Sequence, residues 1–205
     1  DALPPGHFGR IPDERNARCV KRTLALACLI AAVVGCQTAP RTVLPDVPYA
    51  ASPAPGIVSA GRLDATHVDA LRRDGFRGVI DLTPDAETPQ FDEADAVSAA
   101  GLHYANLPLG GPSDLTRENV LRFDQLLAAA PRPLLVHCAS SNRVGAMAAL
   151  RAAWIEGRST EDALAIGRSW GLKGLEPAVR ERLDASRCAG GDGGVETSIG
   201  ECAVR

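Results

Sequence analysis

Along the middle of the chain, short apolar runs trade places with longer stretches of helical spacing. Gly56-Ile57-Val58-Ser59-Ala60-Gly61 predicts a short strand and turn, and Gly78-Val79-Ile80-Asp81-Leu82 a buried strand, broken by Thr83-Pro84-Asp85. Leu102 to Leu107 alternates as a strand does, and Pro133 to His137 is a short apolar strand. Between them, Ala65, Val68 and Leu71 fall at helical spacing within Asp64 to Asp74, and Gly75 is placed to end that helix. Helices are also predicted over Phe91 to Ala100, ended by Gly101, and over Thr116 to Ala129, with Val120, Phe123, Leu126 and Leu127 on one face. A loop at Gly110 to Asp114 precedes the second of these. Three more helices follow: Val144 to Glu156, Thr160 to about Trp170 and Leu175 to Asp184. The middle one has Ser159 or Thr160 as its cap and Glu161 and Asp162 in its first turn. The alternation implies an α/β fold, with a central, mostly parallel sheet of about four or five strands and helices on both faces.

Composition adjusts this picture in two ways. Hydrophobic residues make up 45% of the 205, enough for a real core, but aromatics are only 4%, so Leu, Ala, Val and Ile must fill it. The net charge of -3 offers no basic face of the kind that non-specific nucleic-acid binding needs, and no nucleic-acid partner is expected. Proline and glycine crowd the segments before residue 60 and after residue 187, which reads as linker and tail.

The N-terminal part reads as an address. Lys21 and Arg22 precede an apolar run from Leu24 to Val34, too short for the roughly 20 residues of a spanning helix. A basic start, a short apolar run and a small residue at its end make a secretory signal. Val33-Val34-Gly35-Cys36 resembles the lipobox of bacterial lipoproteins, which implies lipidation of Cys36. Gln37 follows where Asp would favour retention at the inner membrane, so the outer membrane is expected. The prolines at 40, 45, 48, 53 and 55 suggest a tether to the domain. The expected organisation is therefore 1–19 as a non-native upstream extension, 20–35 as signal peptide, 36–55 as tether, 56–186 as the domain and 187–205 as a Gly-rich tail. The protein is expected at the cell envelope, lipid-anchored and facing the periplasm.

Candidate chemistry lies at the end of the last predicted strand, in His137-Cys138-Ala139-Ser140-Ser141-Asn142-Arg143. A strand, a short polar loop and a helix direct successive backbone N–H groups and the positive end of a helix dipole at one point, which suits an oxyanion. The same field favours a thiolate, the form that attacks phosphorus. Cys138 is the candidate nucleophile, and Arg143 can offer two parallel donors to a phosphoryl group. Ala139, Ser140, Ser141 and Asn142 are expected to line the anion site with Arg143. His137 is expected either to stiffen the loop through nearby backbone or to be a core histidine.

The order strand-His-Cys-loop-Arg-helix resembles protein tyrosine and dual-specificity phosphatases. It resembles more specifically the bacterial beta-lactamase-hydrolase-like phosphatase family, through Gly78 to Glu87, Tyr104-Ala105-Asn106-Leu107-Pro108-Leu109 and Val136 to Gly145. Ala163 to Leu183 has that family's look as well. The resemblance covers about residues 56–184 and implies a dual-specificity-phosphatase-like fold. It implies hydrolysis of a phosphomonoester, on a protein or a small molecule, through a cysteinyl-phosphate and without a cofactor.

Departures from the pattern keep alternatives open. Four residues separate Cys138 from Arg143, where tyrosine phosphatases have five. That spacing is usual in the bacterial family but also in rhodaneses, so a sulfurtransferase with a persulfide on Cys138 stays in view. An anion-binding module without catalysis is the third reading. Ser141 stands where related loops often have Gly, so either Ser141 is strained or Asn142 adopts the left-handed conformation. Val144 replaces the Ser or Thr that steadies the leaving thiolate in many phosphatases, and Ser140 or Ser141 is the candidate substitute. The general acid should be an Asp upstream of the Cys. Asp114 is the candidate, with Asp85 as runner-up; each has an alternative reading as a turn or cap residue.

Of the six cysteines, Cys19 and Cys28 fall in segments expected to be removed. Cys188 and Cys202 either pair across the Gly-rich tail or remain free thiols. His7, His67 and His103 show no metal-ligand spacing with any Cys, and no metal is expected.

Overall fold

A computed structural model describes residues 44–189. Cys36, the signal segment, the upstream extension and the tail from residue 190 lie outside the described residues, as does any pairing of Cys188 with Cys202.

Five strands form one sheet: β1 (Ala51–Ala54), β2 (Ile57–Ala60), β3 (Gly78–Asp81), β4 (His103–Asn106) and β5 (Leu134–His137). Their order is β1-β2-β5-β3-β4, with β2, β5, β3 and β4 parallel and β1 antiparallel at the edge. The α/β architecture with a mostly parallel sheet is as the sequence pattern implies. One boundary moves: β1 falls inside the stretch expected as a tether, and Val47 before it is already buried in the core. Its Pro53 disguises it, because proline cannot donate to a ladder and survives only on an edge strand such as this one.

The helices are α1 (Ala65–Arg73), α2 (Glu93–Ala99), α3 (Arg117–Ala129), α4 (Asn142–Trp154), α5 (Thr160–Ser169) and α6 (Glu176–Ala189). Their starts are set by side chains that accept the free N–H groups of the first turn. Asp64 accepts from Thr66 and His67, Asp92 from Asp95, Thr116 from Asn119, and Ser159, rather than Thr160, from Asp162. At Gly101 the chain takes φ 76, a left-handed turn that releases it from α2 into β4. The last helix runs to Ala189, past its expected end at Asp184.

β3 and β5 are buried at every position, as expected for parallel strands covered on both faces. Leu134, Val136 and Cys138 join the larger core cluster with α3, α4, α5 and α6, while Leu135 joins the smaller one with α1 and α2. The parallel register brings Ala60, His137, Asp81 and Asn106 into one row at the carboxyl ends of the strands. In open α/β sheets that edge is where ligands bind.

Candidate active site

Cys138 follows directly on β5, and its amide donates to Ala60 O at 3.4 Å. Its side chain is 1% exposed. The chain then turns through Ala139 and Ser140 to Ser141, which takes φ 64, and enters α4. Among the described residues, the amides of Ala139, Ser140, Asn142, Arg143 and Val144 find no acceptor within the protein; the first bond of α4 is Gly145 N to Ser141 O, 2.9 Å. Backbone N–H groups are obligate donors, so this run is a ready site for an anion.

Of the two alternatives for the loop's left-handed residue, the structure uses Ser141. Its hydroxyl donates to Trp170 O at 2.9 Å, and Gly171 lies against it so closely that a Cβ there would sit 2.5 Å from Ser141 Cβ. A non-glycine residue persists in this conformation where its surroundings over-determine it. Asn142 does the same kind of work, since its Oδ1 accepts from Lys173 N at 2.8 Å and Leu175 N at 3.3 Å. The side chains of Ser141 and Asn142 thus stitch the loop to the Trp170–Leu175 turn, and the Asn142 amide stays open to a ligand. The Ser141 hydroxyl proton is thereby committed to Trp170 O, so of the two candidate substitutes for the missing Ser or Thr only Ser140 keeps its hydroxyl proton uncommitted among the described residues.

Arg143 lies in the first turn of α4, 9% exposed. Its Nη1 donates to Glu87 Oε1 (2.7 Å) and Leu109 O (2.6 Å), and its Nη2 to Glu87 Oε2 (2.8 Å). Glu87 therefore takes the Nη1–Nη2 edge and the backbone takes the remaining Nη1 proton. The Nε–H and the second Nη2–H stay on the other edge, parallel to one another, beside Cys138 and without an oxygen or nitrogen acceptor among the described residues. Burial acts to lower the Arg143 pKa, but the Glu87 hydrogen bonds and the charge of a Cys138 thiolate beside it raise it overall. Arg62 completes the cluster, donating to Glu87 O at 2.8 Å.

Glu87 is a residue the sequence reading did not single out, though it closes the Gly78–Glu87 stretch quoted for the family. Its hydrogen bond with Arg143 outweighs burial and holds its carboxyl below the ordinary 4.5. A carboxylate lowered on folding stabilises the fold above its unfolded value and loses that contribution as pH falls through the folded one. The Glu87–Arg143 pair should therefore contribute fully above about pH 4.5 and fade below it. Thermal melts of the wild type and Glu87→Gln should differ at neutral pH and converge on acidification.

Asp114 sits in a short 3₁₀ turn, Pro112–Asp114, just past the Leu109 carbonyl that holds Arg143. Its Oδ2 accepts from Gly110 N (2.6 Å) and Gly111 N (3.2 Å), so this oxygen caps its own turn, while Oδ1 carries no hydrogen bond among the described residues. Asp85, the runner-up, opens the 3₁₀ turn Asp85–Glu87.

His137 points to the opposite face of the sheet from Cys138 and meets a carboxylate rather than backbone: its Nε2 lies 2.6 Å from Glu93 Oε1 and 3.5 Å from Asp81 Oδ1. All three residues are buried. Tyr104 adds its hydroxyl to Asp81 Oδ2 at 3.2 Å, and burial, followed by the Asp81 charge, pushes the Tyr104 pKa up. One donor atom from each of Asp81, Glu93 and His137 falls within 4.8 Å of the others, a spacing that could hold a metal ion. The Nε2–Glu93 contact is direct, however, and both Asp81 oxygens already accept from Thr83, Tyr104 and Asn106.

A family model for the phosphatase-like domain of beta-lactamase hydrolase-like proteins matches residues 50–155, just over half of the chain. The chain belongs to that family. The match spans β1 through α4, and hence the Cys138 loop, Arg143, Glu87 and Asp114. Among curated relatives of this phosphatase-like domain, the beta-lactamase hydrolase-like protein of Agrobacterium fabrum is 32% identical over 88 residues, 41% of this chain and 20% of that protein. That of Xylella fastidiosa (strain Temecula1) is 36% identical over 105 residues, 49% of this chain and 24% of that protein. The chain thus spans only about a fifth to a quarter of these relatives' length.

Solved structures share the phosphatase-like domain's fold. A candidate phosphatase from Neisseria meningitidis superposes with a TM-score of 0.56 at 25% identity, covering 67% of this chain and 97% of that one. One from Shewanella putrefaciens gives 0.53 at 22%, covering 69% and 94%, and Tk-PTP in its active form gives 0.51 at 20%, covering 67% and 97%. Family and fold together support a phosphatase.

Proposed function

We propose that this domain hydrolyses phosphomonoesters with Cys138 as nucleophile, through a cysteinyl-phosphate. The observation that carries the reading is the free edge of Arg143. With Glu87 on one edge, the remaining Nε–H and Nη2–H can meet two non-bridging oxygens of a phosphoryl group, and the unbonded amides of Ala139, Ser140, Asn142, Arg143 and Val144 can meet the third. The Cys138 thiolate attacks phosphorus, the bond to the leaving oxygen breaks, and that oxygen takes a proton. Water then attacks phosphorus and the S–P bond breaks, releasing phosphate and the thiolate. Substrates are phosphorylated proteins or small molecules. Release of phosphate from para-nitrophenyl phosphate, assayed beside thiocyanate formation from thiosulfate and cyanide, tests the reading. Thiocyanate without phosphate would favour sulfur transfer, and neither product would favour anion binding alone.

Asp114 is the proposed proton donor, through the Oδ1 that its turn does not use. Loss of a general acid matters most where the leaving group is basic. Asp114→Asn is expected to slow hydrolysis of an alkyl phosphate by about 100-fold or more, and that of para-nitrophenyl phosphate much less. Equal loss on both substrates would remove Asp114 from this role.

The lipobox-like Val33-Val34-Gly35-Cys36 supports a lipid-anchored, periplasm-facing protein, with the outer membrane favoured by Gln37. Processing at Cys36 that stops with globomycin is the expected result; a mature protein that retains Asp1 would overturn it.

A further inference from the structure

We propose that Glu93 is a positioning residue for the anion site, acting through a buried polar chain that runs from Glu93 through His137 and Asp81 to Thr83 beneath the Cys138 loop. The inference rests on the reading of Cys138 and Arg143 given above.

The chain has two ends, and both reach the site. At one end, His137 immediately precedes Cys138; its backbone is fixed by ladder bonds to β2 and β3, and its ring is fixed by Glu93 at 2.6 Å. At the other end, Asp81 Oδ1 accepts from the amide of Thr83 at 2.7 Å and from its hydroxyl. Asn106 Nδ2 clamps the same turn, reaching Asp81 Oδ2 (3.2 Å) and Thr83 O (3.1 Å). Thr83 opens the short segment that delivers Glu87 to Arg143. One network thus sets where the nucleophile leaves the sheet and where the partner of the anion clamp leaves it.

Core packing does not need this arrangement. Glu93 is 6% exposed, Asp81 4% and His137 0%, and an apolar set of similar volume would avoid the desolvation of three ionisable groups. Among the described residues, His137 Nδ1 is also buried without a partner. Nε2 is the ring nitrogen that meets Glu93, so the ring is held from that side alone. The ring is thus bonded at Nε2 and, among the described residues, unpaired at Nδ1. Polar networks that specify one geometry act in this way.

Glu93→Ala, Glu93→Gln and, as a packing control on the same helix, Val97→Ala would be compared in the full chain. The readouts are kcat and KM with para-nitrophenyl phosphate, the rate of Cys138 alkylation by iodoacetamide, and the melting temperature. The expected result is a fall of about 10–100-fold in kcat for Glu93→Ala, the scale of small misplacements of catalytic groups, with KM changed much less. Alkylation should slow in parallel, Glu93→Gln should recover part of both through its amide oxygen, and Val97→Ala should lose stability while keeping kcat and alkylation near wild type. Unchanged kcat and alkylation in Glu93→Ala, or equal losses in Val97→Ala, would overturn the proposal. If Glu93→Ala does not fold, Glu93→Gln decides by the same criteria. A wild type that releases no phosphate would sink the phosphatase reading and not this one, because the alkylation rates still report on how the loop is held.

Discussion

Cys138→Ser is expected to abolish phosphate release, with a loss of at least about 10⁴-fold, while leaving the fold and anion binding in place. The expectation is large because, in the proposed reaction, the phosphoryl group is transferred to the cysteine. The hydroxyl that replaces the thiol is similar in size but is not ionised near neutral pH, so the covalent step has no nucleophile. The cradle does not depend on the sulfur: the unbonded amides of Ala139, Ser140, Asn142, Arg143 and Val144 and the free edge of Arg143 belong to backbone and guanidinium. Inorganic phosphate or tungstate should therefore still bind and raise the melting temperature of the variant. Steady-state assays and thermal shifts on the same preparation check both halves. Retention of more than a few per cent of wild-type turnover would remove Cys138 as nucleophile.

The second large effect falls on stability. α4 carries the site at its N-terminus, and its position is set by contact with α5 and with the turn that follows α5. At Gly145 a Cβ would sit 2.1 Å from Leu172 N and 2.6 Å from Gly167 O. At Gly167, facing it, a Cβ would meet Ala149 Cβ and Gly145 O, each at 2.8 Å. All but one of these neighbours are backbone atoms, which cannot rotate away as a side chain can. Gly145→Ala must therefore push α5 and the 170–175 turn outward. Overpacking usually costs about 1–3 kcal/mol, and a backbone clash of this depth belongs at or above the top of that range. A fall in melting temperature of 10 °C or more is expected, together with loss of activity, because Ser141 and Asn142 hang on that turn. A melting temperature within a degree or two of wild type would show the contact to be looser than described.

Much of the scaffold was legible in the sequence because its signals are local. The apolar run Leu134–Val136, buried on both faces, reads as a parallel strand, and the cap Ser159 is a short polar residue placed ahead of helical spacing. Strand β1 was hidden because Pro53 and its neighbours resemble a linker, and only pairing with β2 makes them a strand.

The Cys138 loop was legible for the same reason as the strands: its parts are contiguous, and a strand, a short polar loop, an Arg and a helix declare an oxyanion site wherever they occur in that order. What the sequence by itself determined was this loop, the α/β alternation around it and the family resemblance. The tertiary structure decided which groups close on the loop. Glu87 grips Arg143 from 56 residues away, Leu109 O from 34, and Glu93 reaches His137 from 44. Only the sheet register, which sets Asp81 beside His137, brings them together. It likewise settled that Ser141, not Asn142, takes the left-handed turn, since that choice depends on the empty space at Gly171, thirty residues on. Local propensity is written in neighbours along the chain; the partners of a buried charge are chosen by packing, which no short window of sequence contains.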